Sequence, residues 1–227
     1  IPYQEADGVY EEISRDSVQI AASESRKEPS NQEQGQMVSE ICPITVDFQV
    51  LKALNPDIVG WIYIKGTSID YPIVQGKDNE QYLHQDFNKK KSSSGTIFLD
   101  KSCDRKFTSD NNVIYGHHMK NGTMFAQLLK FREQSFLKKH DTIILYTPDR
   151  TLHLKVISAY ADKAQNNIPV TFADAKRKRA YIKKIQDMSE QKIKVSHAEY
   201  RRIYTFVTCS YEFNNARTIL YAYEAAE

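Results

Sequence analysis

The chain has 227 residues, 41% of them hydrophobic and 26% charged, close to the globular average, which suffices for one large buried core and argues against a disordered chain. Lysine plus arginine (31) nearly cancels aspartate plus glutamate (29), and the net charge of +2 gives no argument for a nucleic-acid partner. No apolar run reaches the ~20 residues that span a bilayer, and none of the three cysteines has a neighbour at zinc-ligand spacing. With 14 tyrosines and 10 phenylalanines against 8 glycines, the composition fits a β-rich core.

In chain order, residues 7–28 scatter apolar positions among charges, as an amphipathic helix packing onto the domain does, and residues 29–40 read as a polar linker. The globular body starts near Val46 with a short helix over Phe48–Leu54, closed by Asn55-Pro56 because the residue before proline is pushed out of the α region. Residues 60–65, a Gly66-Thr67-Ser68 turn and residues 69–75 predict a hairpin, with Pro72 placing the second strand at an edge. Strands are expected over 95–100 and 112–116. Residues 124–140 have helical spacing, and strands over 142–147 and 152–161 flank a Pro148-Asp149-Arg150 turn. A basic stretch, 171–194, predicts a helix capped by Thr171, its charges reading first as a solvated face and second as a docking face for an acidic partner. Alternating runs over Ile203–Cys209 and 217–223 complete a mostly β domain carrying three or four helices.

The last two strands carry the chemistry. Alternation puts Ile203, Thr205, Val207 and Cys209 on one face and Tyr204, Phe206 and Thr208 on the other. The connection 210–216 is short enough for Cys209 to end one strand where Arg217 begins the next. A permanently charged guanidinium there can stabilise a thiolate or a developing oxyanion. The thiol also needs a proton acceptor, for which histidine is suited. His117 and His118 stand at the exit of a strand, whereas His84, His140, His153 and His197 have no such placement. Taken singly, these residues have commoner readings. A cysteine at a strand end usually packs as a small hydrophobe, a Gly-His-His triplet is usually a polar loop, and an arginine is usually surface or salt-bridged. Cys42 and Cys103, in linker and loop contexts, read as incidental; a disulfide between them has nothing to support it.

The words of the sequence go further. Tyr115-Gly116-His117-His118-Met119, followed by Gly122-Thr123-Met124-Phe125, resembles the histidine motif of class B sortases, the cysteine transpeptidases of Gram-positive bacteria. Thr205-Phe206-Val207-Thr208-Cys209-Ser210-Tyr211-Glu212-Phe213 resembles their cysteine motif, and Asn215-Ala216-Arg217 the arginine that follows it. Residues 55–62, 69–75 and 78–83 are similar to the family's opening segments, so the likeness runs in order from about 46 to 223.

The resemblance implies a closed β-barrel of eight strands with amino-terminal helices and a helix between the sixth and seventh strands. Residues 1–45 are then a helical arm and linker, and 46–227 the catalytic domain. It implies Cys209 as nucleophile, His117 as acid/base and Arg217 as the group that polarises the scissile carbonyl; His118 is expected to have no catalytic part. Asn79, Leu83 and Tyr115 would line the sorting-signal groove, with Thr208 bordering the oxyanion site. Val207 is a departure, since relatives often carry serine there. The implied partners are proteins bearing a carboxy-terminal sorting motif and an amine, from a peptidoglycan cross-bridge or a pilin lysine. No metal or cofactor is called for, and no nucleic acid. The expected location is the outer face of the cell membrane or the wall, reached through an amino-terminal anchor that this sequence lacks. Two other readings share parts of this pattern: a Cys–His hydrolase using water, and a non-catalytic β-rich surface module.

Overall fold

The computed structural model describes residues 2–20, 43–163, 168–191, 193, 201–209 and 214–224. The strand-forming runs become eight strands that close on each other: β3 (Ile58–Tyr63), β4 (Asp70–Val74), β5 (Ile97–Leu99), β6 (Asn111–Tyr115), β7 (Thr142–Tyr146), β8 (Thr151–Lys163), β9 (Ile203–Cys209) and β10 (Ala216–Glu224). Their order around the barrel is β10-β8-β7-β3-β4-β5-β6-β9. Two junctions, β4–β5 and β6–β9, are parallel; the others are antiparallel. Closure leaves no free sheet edge. Trp61, Tyr82, Phe87, Tyr204, Phe206 and Tyr221 fill the core, each at most 2% exposed.

The barrel corrects the edge reading of Pro72. β4 is paired on both sides, and Pro72 stands opposite Trp61 of β3. The ladder to β5 begins one residue later, at Ile73. The missing proline N–H therefore falls just outside the second ladder, which gives it the freedom of an edge within a closed sheet.

The arm begins with α1 (Pro2–Ser17), followed by β1 (Val18–Ile20), which pairs with β2 (Ile44–Val46). The expected helix over 7–28 thus ends early. The Ser17 hydroxyl bonds back to the Ile13 carbonyl, and the Ser17 carbonyl accepts the Asp47 N–H at 2.8 Å. Residues 21–28 and the expected linker 29–40 lie outside the described residues. Tyr10 and Ile13 of α1 are buried in the common core.

Helix α2 (Phe48–Leu54) forms as expected, with Asp47 accepting from the Gln49 and Val50 N–H groups. Asn55, at its end, donates through Nδ2 to the Phe87 carbonyl (2.7 Å) and the Tyr82 hydroxyl (3.0 Å). Tyr82 in turn donates to Asp57 Oδ2 at 2.7 Å. These bonds fix the loop that carries a 3-10 turn over Gln81–Leu83.

The helical stretch expected over 124–140 breaks in two, a 3-10 segment (Ala126–Arg132) and α3 (Gln134–Leu137), because Glu133 adopts an extended conformation between them. Helix α4 (Ala175–Asp187) lies between the sixth and seventh barrel strands, β8 and β9. Its cap is Asp174, which accepts from Arg177 N at 2.7 Å, and not Thr171. Tyr181 of α4 meets Tyr221 of β10 through their hydroxyls at 3.0 Å. Lys178 bonds Asp110, before β6, at 2.8 Å. Lys176, Arg179, Lys183 and Lys184 remain exposed.

Candidate active site

Strand register brings the expected residues to one end of the barrel. In the antiparallel β9–β10 pair, Cys209 stands directly opposite Arg217, and Thr208 opposite Thr218. In the parallel β6–β9 pair, Tyr115 stands opposite Val207. Pairing continues one residue past β6, since the Gly116 N–H donates to the Val207 carbonyl at 3.1 Å. His117 therefore leaves β6 at the level of Cys209. The approach of the loop requires Gly116, because a Cβ there would lie 2.4 Å from Ile97 Cδ1 and 2.7 Å from Phe125 Cδ2.

The imidazole of His117 is oriented by main chain. Its Nε2 lies 2.8 Å from the Leu83 carbonyl oxygen. A carbonyl only accepts, so Nε2 carries the hydrogen and the lone pair of the neutral ring resides on Nδ1. Gly95 packs against this contact. It has φ of +57°, and a Cβ would meet the Tyr82 carbonyl oxygen at 2.5 Å, that of Leu83 at 2.9 Å and His117 Cδ2 at 3.1 Å. Only glycine fits both the dihedral and the space. Beyond the ring, Phe125 N donates to the His117 carbonyl at 2.9 Å, and His118 forms a β-bridge with Met124.

Two of the expected groove residues, Asn79 and Tyr115, are joined through a carboxylate that sequence reasoning missed. Asp100 Oδ2 accepts from Asn79 Nδ2 at 2.8 Å and from the Tyr115 hydroxyl at 3.3 Å. Its Oδ1 accepts from Ser102 N at 2.8 Å. Asn79 is held at both ends of its amide, because Oδ1 accepts from Lys101 N at 2.8 Å. Burial, then the neighbouring Asp100, push the Tyr115 phenol well above its ordinary pKa, so it keeps its proton and donates. The Tyr115 ring stacks on Phe98 at 5.3 Å. The signal for Asp100 in the sequence was only an aspartate closing a predicted strand.

Leu83 reaches the site through its carbonyl, and its side chain packs half-buried against the core. Thr208 is 2% exposed, its side chain enclosed by the protein. Its hydroxyl and that of Thr218 have no hydrogen-bond partner among the described residues. Only the backbone of Thr208 is available to border the site. Val207 is buried next to Tyr115. Arg217 is partly buried and donates through Nη1 to the Ala216 carbonyl at 3.0 Å. Cys103 is apart from all of this. Its thiol is free and buried, accepts from Val113 N at 3.4 Å, and burial pushes its pKa up to about 12.

A sortase-domain family model matches residues 62–225. Sortase B of Listeria monocytogenes is 35% identical over 163 residues, 71% of this chain and 66% of that protein, so the chain spans about two thirds of that relative's length. Among solved structures, sortase B of Clostridium perfringens is 37% identical with a TM-score of 0.75, covering 79% of this chain and 100% of that one. A Staphylococcus aureus sortase B–substrate complex is 28% identical with a TM-score of 0.78, covering 98% of each chain. The chain belongs to the sortase family, cysteine transpeptidases of the Gram-positive cell surface, and within it to class B. The expected closed eight-stranded barrel is the one found, and the reading as a non-catalytic surface module is set aside.

Proposed function

We propose that this chain cleaves a carboxy-terminal sorting motif after threonine and passes the acyl group to an amine. His117 takes the thiol proton as Cys209 Sγ attacks the threonine carbonyl, while Arg217 binds the oxygen on which negative charge develops. The C–N bond breaks, His117 gives a proton to the leaving amine, and a thioester remains on Cys209. In the second half an incoming amine attacks the thioester, His117 takes its proton, and the cysteine sulfur leaves. Asn79 and Tyr115, both anchored on Asp100, are read as the wall against which the sorting peptide lies, with the Leu83 carbonyl behind it orienting His117. The acceptor amine belongs to a peptidoglycan cross-bridge or a pilin lysine, at the outer face of the membrane or in the wall.

The observation that carries this reading is register. Arg217 pairs with Cys209 across β9–β10, and His117 exits β6 two residues past the Tyr115–Val207 pair. Three residues of the required types thus stand at one end of one barrel by backbone register, which supports the reading. The S. aureus sortase B solved as a substrate complex supports a substrate-binding role for a protein of this fold.

The test is mass spectrometry of products from a panel of Thr-Gly and Thr-Asn sorting peptides, with an oligoglycine acceptor, a pilin-type lysine peptide or neither. Ligation to one amine is the expected result and names the branch. Cleavage at a rate and to a product untouched by every amine overturns transfer in favour of hydrolysis.

A further inference from the structure

One side chain of the amino-terminal arm touches both supports of the His117 loop. Tyr10, on α1, is 6% exposed. Its hydroxyl donates to the Gly95 carbonyl at 2.5 Å and lies 3.2 Å from Thr96 Oγ1. Its ring meets Tyr71 of β4 edge-on, with centroids 5.5 Å apart. Burial raises the Tyr10 phenol far above its usual pKa, so the donated proton is present at any working pH.

Gly95 touches His117 itself, and Thr96 and Tyr71 reach the His117 loop through intervening residues. On the first side, Gly95 lies against the imidazole edge and the Leu83 carbonyl that orients it. Thr96 closes the same turn, donating from N to the Tyr82 carbonyl and from Oγ1 to the Gln85 carbonyl, each at 2.9 Å. On the second side, the Tyr71 hydroxyl accepts from Met124 N at 3.1 Å. Met124 has φ of +56° and forms the bridge to His118, and the next residue, Phe125, bonds the His117 carbonyl. A left-handed, non-glycine residue persists only where its surroundings over-determine it. The loop is therefore clamped from two directions, and Tyr10 buttresses both clamps.

We propose that Tyr10 is a positioning residue for His117, and that the arm is thereby a working part of the catalytic unit and not only a tether. The inference rests on the reading of His117 as the acid/base. A tyrosine that fixes the main chain beside an imidazole acts on the rate of proton transfer and leaves the peptide groove around Asn79 and Asp100 unchanged. Its loss falls on kcat and spares KM.

The experiment uses the full chain. Tyr10→Phe keeps the ring against Tyr71 and removes only the hydroxyl bonds; Tyr10→Ala removes both. Peptide turnover is measured well below each variant's melting temperature. The ring nitrogens of His117, assigned with His117→Ala, are followed by NMR across a pH titration. Tyr10→Phe is expected to lower kcat about tenfold with KM within about twofold, because a small misplacement of a catalytic group is costly. The His117 ring-nitrogen shifts and titration midpoint are expected to move with it, and further in Tyr10→Ala. Unchanged kcat and unchanged His117 resonances overturn the proposal, even if the melting temperature falls, since that pattern is a purely structural tyrosine. If the wild type turns over no peptide, the proposed function fails, and the His117 titration alone then decides the coupling.

Discussion

The two walls of the site are built by different means. One wall, β9–β10, sets Cys209 against Arg217 through a hydrogen-bonded ladder that continues for seven paired positions down to Ile203–Tyr223. The other holds His117 on a loop just past the end of β6, where the ladder has one bond left, from Gly116. Beyond that bond the loop depends on single contacts to distant parts of the chain: the Leu83 carbonyl, the main chain of Gly95 and the Tyr71 hydroxyl. A ladder distributes its constraint over many equivalent bonds. A clamp concentrates it in a few, so the histidine wall is the one that remote substitutions reach.

Substitutions can therefore separate the walls. On the ladder wall, Cys209→Ala removes the proposed nucleophile, and turnover is expected to fall by about 10⁴-fold or more without loss of the fold. Arg217→Lys keeps charge but loses the planar fork and is expected to cost about 10²–10³ in kcat, with little change in melting temperature. On the loop wall, Gly95→Ala meets both a positive φ and a 2.5 Å contact with the Tyr82 carbonyl oxygen. It is expected to cost about 1–3 kcal/mol of stability and about 10²-fold in kcat, read by denaturant melts and turnover together. Tyr71→Phe strips the acceptor from Met124 N, and a stability loss of about 1 kcal/mol is expected with a smaller fall in kcat. If Gly95→Ala and Tyr71→Phe spare kcat as fully as a distant surface change, the clamp has no catalytic part.

A third pair of expectations concerns neither wall. Asp100→Ala frees the Asn79 amide and the Tyr115 hydroxyl and is expected to raise KM about tenfold at nearly constant kcat, the size of a lost charged hydrogen bond. Cys103 serves as the silent control. Its thiol pKa is raised to about 12, so its reactive thiolate accumulates only as pH climbs toward that value. Thiol reagents at pH 8 are expected to leave Cys103 unmodified in the folded protein, as peptide mapping would show. Its labelling at neutral pH would mean that the β5–β6 region opens.

The difference between the walls also decides what could be read from sequence. Cys209 and Arg217 were legible because strand alternation and a short connection fix their relation, and the register found is the one that spacing implies. His117 was legible as a strand-exit histidine. The roles of all three came from the motif likeness, since periodicity favours blander readings for each. What was not legible acts through long-range contact: the Leu83 carbonyl is 34 positions from His117, and Tyr10 is 85 positions from Gly95. Neither leaves a periodic trace. Asp100 reads as any strand-ending aspartate until Asn79 and Tyr115 are folded onto it. Local chemistry misled in smaller ways. Asp174, one residue ahead of α4, outcompetes Thr171 as the cap. The apolar spacing over 124–140 survives a break at Glu133 because both halves bury apolar side chains, with Leu128, Phe131 and Leu137 in the core.

The most direct measurement is the rate of acyl-enzyme formation, followed by rapid-quench intact-mass analysis of the wild type, Cys209→Ala, His117→Ala and Arg217→Ala with one sorting peptide. The expected result is an acyl adduct that maps to Cys209 in the wild type, is absent from Cys209→Ala, and forms far more slowly without His117 or Arg217. An adduct on another residue, or formation on Cys209 at an undiminished rate in His117→Ala and Arg217→Ala, would contradict a site assembled from these two walls.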